Sequence, residues 1–374
     1  MRIGEVNNRL KVAVLIRNYC RTSGGAEKYC VEITERIAKY HEVHLFAQSI
    51  NFHSENIVIH KIPILLRRPR FLNQLLFSFF TYIKTAHKGF DIVHSHDMVT
   101  HANIYSLHVP TIKSSLIKLS LLKKITSFFS LRLQTYLWLE RRLYKPKTAK
   151  RLIAVSKTLK ENIVSSYPDS KELIDISFPG INFTESSSKK RNTKNSPLSS
   201  FKILFVGHSF KRKGLQIIVN AISQIKDKKI KIFVAGKGNA EEINTSNLGH
   251  NQEIEFLGEV SDIHELYQNS DLLIHPTLGD TFGMVVLEAL YNKLPVIVSN
   301  DSYCGISHEL SKEEVIFLDN PRNSFELKKA IIGVISDSRL RQKLKKNGFE
   351  FAKKFTWDNS EKEITKSYKK IIDR

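Results

Sequence analysis

The stretch Phe201-Lys-Ile-Leu-Phe-Val-Gly-His-Ser-Phe-Lys-Arg-Lys-Gly214 runs from an apolar strand into a glycine and a basic loop, and Leu215 to about Ile225 then follow with helical spacing. A strand that stops at glycine and hands over to a helix is the opening of a βαβ unit. Further short apolar runs come at Ile230–Ala235, Ile254–Leu257, Leu272–His275, Val296–Ser299 and Val315–Leu318, with helical stretches between them. Runs that are mostly apolar, without sustained polar alternation, belong to parallel strands covered on both faces. The first half has the same grammar. Lys11-Val-Ala-Val-Leu-Ile16 leads into Ser23-Gly-Gly-Ala26, a helical pattern from Glu27 to about Lys39, and a strand at Glu42–Phe46. Phe90-Asp-Ile-Val-His94 is another strand, ending in the polar cluster His94-Ser-His-Asp97. Between the halves, Thr184–Ser200 is rich in Ser and Lys and nearly free of apolar residues, the composition of a linker. The expected fold class is therefore α/β: two Rossmann-like doubly wound domains, 1–183 and 201–357, facing across a cleft and joined by 184–200. A final helix over about 358–374 is expected to pack back on the first domain. Ligands of such sheets sit beyond the carboxyl ends of the strands.

The chain has 374 residues, 41% hydrophobic and 25% charged, enough for two cores and typical of a globular protein. The three cysteines are odd in number and lack C-x-x-C spacing, which argues against a disulfide framework or a zinc site. The N-terminal MRIGEVNNRL carries no apolar signal core, and Phe71–Ile83 is too short to span a bilayer and includes Asn73 and Gln74. A cytoplasmic, soluble or peripheral protein is expected.

Charge is unevenly placed. Residues 1–200 hold 32 basic and 14 acidic side chains, a net of +18, whereas 201–374 hold 26 and 23, a net of +3. One half thus faces something anionic: nucleic acid, a membrane surface or a phosphorylated substrate. Within that half, Ser115–Lys145 sets Leu121, Ile125, Phe128, Leu133 and Trp138 at roughly helical period, with Lys118, Lys123, Lys124, Arg132, Arg141 and Arg142 between them and Glu140 as the lone acid. Such a helix either lies in a membrane interface or packs its apolar face on the core and leaves a solvated basic face outside. Residues 61–90, with Lys61, Arg67, Arg68, Arg70, Lys84 and Lys88 and no acid, accompany it. No helix-turn-helix, RRM or zinc-finger pattern supports nucleic acid as the partner.

Two segments suit phosphate. The loop Gly207–Gly214 offers backbone amides and a helix start, with Arg212 and Lys213 adding charge. His275-Pro-Thr-Leu-Gly-Asp-Thr-Phe-Gly-Met-Val-Val-Leu-Glu-Ala289 runs from a strand end through a glycine loop into a helix, so amides near Gly283 and Met284 can face an anion that the helix dipole favours. Asp280 precedes that helix and Glu288 lies within its first two turns. Each carboxylate can accept hydrogen bonds from sugar hydroxyls, or stand as an ordinary solvated side chain.

Asp280-x7-Glu288 within HP…GDTFGMVVLEA, followed by LPVIVS, resembles the E-x7-E signature of glycosyltransferase family 4, the retaining transferases of GT-B fold. The Val206–Gly214 loop, Gly24-Gly25 after the first strand, FDIVHSHD and Phe355-Thr-Trp357 before the last helix resemble the same family in the same order. Within it the chain is most similar to the α-glucosyltransferases that act on a heptose of the lipopolysaccharide core. The resemblance implies a nucleotide-sugar donor held mainly by the C-terminal domain: Arg212 and Lys213 on the diphosphate, Gly283 and Met284 through backbone amides, Gly24 and Gly25 closing from the other domain. It implies Glu288 on the ribose hydroxyls, Asp280 on the donor sugar and His108 beside the reacting carbon. Asp280 stands where the family usually has Glu, one methylene longer, which bears on donor choice and on activity.

No D-x-D occurs in the chain, so the diphosphate is expected to be stabilised by Arg212, Lys213 and helix amides, with no metal and no cofactor. The resulting expectation is a metal-independent retaining hexosyltransferase, with UDP-glucose as donor and a membrane-associated glycolipid as acceptor, peripheral on the inner face of the cell membrane. Two alternatives stay open: a non-catalytic membrane-associated binding protein on the same fold, and a nucleotide-sugar epimerase.

Overall fold

The structure, a computed structural model, describes residues 9–21, 24–52, 54–117, 120, 127, 129–146, 151–182, 200–260 and 262–373. These divide into two compact units. One runs to Gly180 and takes in the chain again from Trp357, and the other is Ile181–Thr356.

In the first unit the strands are β1 Lys11–Leu15, β2 Asn18–Tyr19, β3 Glu42–Ala47, β4 Ser49–Ile50, β5 Ile57–Lys61, β6 Ile92–Ser95, β7 Ile104–Leu107, β8 Arg151–Ala154 and β9 Ile174–Ile176. Among the described residues seven of them form one parallel sheet in the order β5-β3-β1-β6-β7-β8-β9, and β2 pairs with β4. Val12 to Leu15 are buried throughout, as expected of a strand covered by helices on both faces. The sheet order reverses between β1 and β6, the place where ligands collect in open α/β sheets. Helix Gly25–Ile37 follows β2, and its Tyr29, Cys30, Ile33 and Ile37 are buried. The helix Trp357–Ile372 packs on this unit through fixed polar contacts. Arg36 Nε donates to Asp358 at 2.8 Å, Lys370 Nζ to Asp175 at 2.8 Å and Ser367 Oγ to Asp175 at 2.8 Å. Trp357 itself is fully buried, edge-on to Tyr29.

The second unit holds β10 Phe201–Val206, β11 Ile230–Ala235, β12 Gln252–Gly258, β13 Leu272–His275, β14 Val296–Ser299 and β15 Ile316–Leu318, parallel in the order β12-β11-β10-β13-β14-β15. Its core is largely aliphatic, built around Ile203, Ile218, Ile232, Ile274 and Leu327 with Phe205 among them. Each fully buried side chain of this kind contributes about 1.5–3 kcal/mol relative to leaving it exposed. The order turns at β10 and β13, and the loops leaving these two strands carry the residues considered below.

The basic segment departs from a single amphipathic helix over Ser115–Lys145. The structure has a short helix Ile112–Ile117 and a separate one at Leu131–Leu143, the second capped by Ser130, whose hydroxyl accepts from Leu133 N–H. Serine at that position takes over an orphan amide, so a new helix begins there instead of an old one continuing. Nor is the sorting of apolar from basic residues clean. Leu139 and Leu143 point inward, Leu131 and Trp138 are exposed, and Glu140 is fully buried. Glu140 accepts from Ile112 N–H at 2.5 Å, Lys113 N–H at 3.1 Å and the Tyr167 hydroxyl at 2.9 Å, so the segment's acid pins the start of the neighbouring helix. Arg132, Arg141 and Arg142 are exposed. Lys118, Lys123 and Lys124 lie outside the described residues, as do 183–199, nearly all of the expected linker. Asn73 and Gln74 are spoken for. Gln48 donates to Asn73 at 2.8 Å, and Gln74, buried, donates to the Met98 carbonyl at 2.9 Å. Among the described residues no helix is long and apolar enough to cross a membrane.

Candidate active site

In the second unit, the loops after β10 and β13 interlock. Gly214 has φ +83°, and a Cβ there would sit 2.2 Å from the Pro276 carbonyl oxygen, so only glycine lets the two loops approach this closely. Leu278 N–H donates to the Arg212 carbonyl at 3.0 Å, and Arg212 Nη1 donates to the Gly279 carbonyl at 2.7 Å. The two segments that sequence reading singled out separately thus form one structure.

Asp280 is its centre. Its carboxylate pairs with the Lys213 ammonium and accepts from His275 Nε2 at 3.0 Å. Burial opposes ionisation of Asp280, but the His275 N–H and the Lys213 charge outweigh it and hold the carboxyl well below the usual range. His275 is buried, and burial lowers its pKa despite the carboxylate beside it, so it stays a neutral donor whose Nδ1 finds no partner among the described residues. The backbone is tied as well. Asp280 N–H donates to the Tyr303 carbonyl at 2.8 Å, and Gly305 N–H donates to the Asp280 carbonyl at 3.0 Å. Lys213 is therefore a fixed, nearly buried cation with its counter-charge in place.

Gly283 opens the helix Met284–Tyr291 at φ +100°, and a Cβ on it would lie 2.7 Å from Cys304 Sγ. The amides of Gly283 and Met284 stand at the helix start, where no intrahelical acceptor reaches and the dipole favours an anion. One turn on, Glu288 accepts from the Tyr267 hydroxyl at 2.9 Å. Tyr267 is fully buried in the helix Ile263–Asn269, so it holds the carboxylate without competing for solvent. The two loops thus bring Arg212, Lys213 and Asp280 together, and Gly283, Met284 and Glu288 lie on the helix that follows the second loop.

The remaining candidates belong to the first unit. Gly24 caps helix Gly25–Ile37, its carbonyl accepting from Lys28 N–H at 3.0 Å, while a Cβ on Gly25 would meet nothing within 4 Å. His108 follows β7 and lies edge-on to Tyr29 of that helix, with ring centroids 5.1 Å apart, and burial lowers its pKa to about 4. His96 Nδ1 lies 3.3 Å from His108 Nε2. Sequence reading assigned no role to His96, His275 or Tyr267. The first two sit inside motifs already quoted, but Tyr267 comes 21 positions before Glu288, and no spacing rule connects them.

Residues 23–185 match the family described as Glycosyltransferase Family 4, and 186–351 that described as Glycosyl transferases group 1. An uncharacterized glycosyltransferase of Methanocaldococcus jannaschii, MJ1607, is 30% identical over 235 residues, 58% of this chain and 59% of that protein. The lipopolysaccharide glucosyltransferase WaaG of Escherichia coli is 26% identical over 156 residues, 40% of this chain and 41% of that protein. These alignments span less than two thirds of both relatives. The solved structure of WaaG superposes with a TM-score of 0.78 at 19% identity, covering 94% of this chain and 98% of that one. Anabaena Alr3699/HepE, solved in complex with UDP-glucose, superposes at 0.72 with 17% identity, covering 96% and 99%. With two parallel α/β units and both family matches in sequence order, the chain belongs to glycosyltransferase family 4, with the GT-B fold, and is similar to WaaG.

Proposed function

We propose that this chain is a retaining, metal-independent hexosyltransferase that moves glucose from UDP-glucose to a membrane-associated glycolipid such as a lipopolysaccharide core. The observation that carries the reading is the second unit's cationic, amide-lined loop pair: Arg212, Lys213 and the helix start at Gly283–Met284, beside the anchored carboxylates Asp280 and Glu288. This is the donor set a nucleoside diphosphate needs on its phosphates, with acceptors for ribose and hexose hydroxyls alongside. A solved neighbour with UDP-glucose bound and another involved in lipopolysaccharide biosynthesis support donor and acceptor class.

In this reading the bond from the sugar's anomeric carbon to the β-phosphate oxygen breaks while the acceptor hydroxyl bonds to that carbon on the same face. The hydroxyl proton passes to the departing phosphate oxygen. Arg212, Lys213 and the helix amides stabilise the charge growing on the diphosphate, set in place before the reaction starts. Asp280 fixes Lys213 and accepts from the hexose, and Glu288 accepts from the ribose, while Gly24, Gly25 and His108 take the donor-closing and reacting-sugar roles that the family resemblance gives them. The first unit, with the last helix, takes the acceptor side. Its exposed Arg132, Arg141 and Arg142, with Lys118, Lys123 and Lys124, meet anionic lipid on the inner face of the cell membrane.

Glucosyl transfer from radiolabelled UDP-glucose to a membrane glycolipid extract tests the reading. Arg212→Ala with Lys213→Ala is expected to abolish turnover in a protein that still melts cooperatively, and full activity in that variant contradicts the phosphate assignment. Slow acceptor-free donor hydrolysis separates the enzyme from a binding protein. Binding to anionic but not neutral vesicles, lost in Arg132→Glu/Arg141→Glu/Arg142→Glu, tests the membrane part.

A further inference from the structure

Three histidines sit together at the carboxyl end of β6 and β7. His94 and His96 are two positions apart in the chain, the first in β6 and the second just beyond it, and His108 just follows β7. His94 uses both ring nitrogens. Nδ1 is 2.8 Å from the Tyr368 hydroxyl and Nε2 is 2.8 Å from Ser106 Oγ. His96 uses one. Its Nδ1 meets His108 Nε2 at 3.3 Å, and its buried Nε2 has no partner among the described residues.

The His96 and His108 ring planes are 14° apart with centroids 5.6 Å apart. That separation is the N···N distance plus roughly one ring radius at each end, so the rings meet edge to edge in nearly one plane. This is the geometry of an N–H···N bond, not of a face-to-face stack.

Burial keeps both rings neutral, His96 well below the usual imidazole pKa and His108 near 4. A neutral imidazole has one N–H and one lone pair, so the contact can be made in two ways. If His108 Nε2–H donates, His96 must carry its own proton on Nε2, where a buried N–H has no acceptor. If His96 Nδ1–H donates, the unpartnered Nε2 is only a lone pair, and the His108 proton moves to Nδ1. Orphaned buried N–H groups are the rarer and costlier defect.

We propose that His96 is a positioning residue that holds His108 as its Nδ1–H tautomer, so that His108 presents a hydrogen-bond donor to the reacting sugar. The role in turnover rests on the transferase reading above, whereas the tautomer does not. The logic is that by which a neighbouring group fixes the tautomer of a catalytic imidazole.

A long-range 1H–15N spectrum of the full chain at pH 7.5, assigned with His108→Gln, reads the tautomer directly. Wild type is expected to show His108 protonated on Nδ1. His96→Asn, whose side-chain amide falls where Nδ1 was, is expected to keep that form and turnover within about twofold. His96→Phe, which keeps ring and volume but no donor, is expected to release His108 to the Nε2–H form and lower kcat at least about tenfold, with KM for UDP-glucose and melting temperature little changed. Nε2–H His108 in wild type overturns the proposal. So does a fully active His96→Phe beside an inactive His108→Ala. Full activity in His108→Ala instead overturns the role given to His108 in the transferase reading, and the spectrum still decides the hydrogen bond.

Discussion

Asp280→Asn isolates what the carboxylate contributes. Asparagine keeps the shape and an acceptor for His275, but it leaves the Lys213 ammonium without its counter-charge. Breaking one partner of a fully buried ion pair costs about 3–5 kcal/mol. Here the Lys213 side chain is 11% exposed and that of Asp280 21% exposed, so partial solvation brings the expected loss to about 2–3 kcal/mol. In a unit of this size that lowers the melting temperature by roughly 5–10 °C. The pH dependence has a definite sign. A carboxyl whose folded pKa is depressed stabilises the fold above its unfolded pKa, about 3.9, and loses that contribution as pH falls toward the folded value. The difference between wild type and Asp280→Asn is therefore flat from pH 8 to about 5 and shrinks below about pH 4. Scanning calorimetry across that range measures it. Adding Lys213→Met should recover at least half of the loss, because the unpaired charge goes with it. A change under about 1 °C in Asp280→Asn at pH 7.5 would refute the reasoning, since the pair would then be energetically neutral.

Tyr267→Phe removes the hydroxyl that orients Glu288, and should raise KM for UDP-glucose about fivefold to tenfold with kcat within about twofold in steady-state kinetics. Gly283→Ala must hold a side chain at φ +100° against Cys304, costing about 1–3 kcal/mol in urea unfolding, and Cys304→Ala should relieve the contact but not the backbone strain. Glu140→Ala strips three donors of their buried acceptor and should cost about 2–3 kcal/mol, only part of it recovered by Glu140→Gln, whose NH2 faces one of the backbone N–H donors, as read by thermal melting.

Much of the sheet architecture was legible because both faces of parallel strands are covered. Leu272–Ile274 and Val296–Val298 are unbroken apolar runs, each followed by a polar residue, His275 or Ser299, at which the strand ends. The two-residue strands β2 and β4 carry too little pattern to detect, and β8 and β9, short and containing Arg151 and Asp175, carry little more. The break at Ser130 was hidden because apolar residues continue at helical spacing across it, while the serine cap is a local hydrogen-bond choice that periodicity does not weigh. At the candidate site, glycines and charges in the two loops pointed to phosphate chemistry, since positive φ and close backbone approach demand particular residues. Their supports did not show. His275, Tyr267 and His96 act through partners 5, 21 and 12 positions away, set by the fold and not by the local chain.

The most direct test of the donor assignment is a thermal-shift panel of UDP-glucose, UDP-galactose, UDP-GlcNAc, GDP-mannose and ADP-glucose, with and without EDTA. At about 100 times its dissociation constant a ligand of the native state adds about 2.7 kcal/mol, or roughly 5–10 °C here. The account predicts that shift with UDP-glucose, unchanged by EDTA and lost in Arg212→Ala/Lys213→Ala. No shift with any UDP-sugar, or one that EDTA removes, would contradict it.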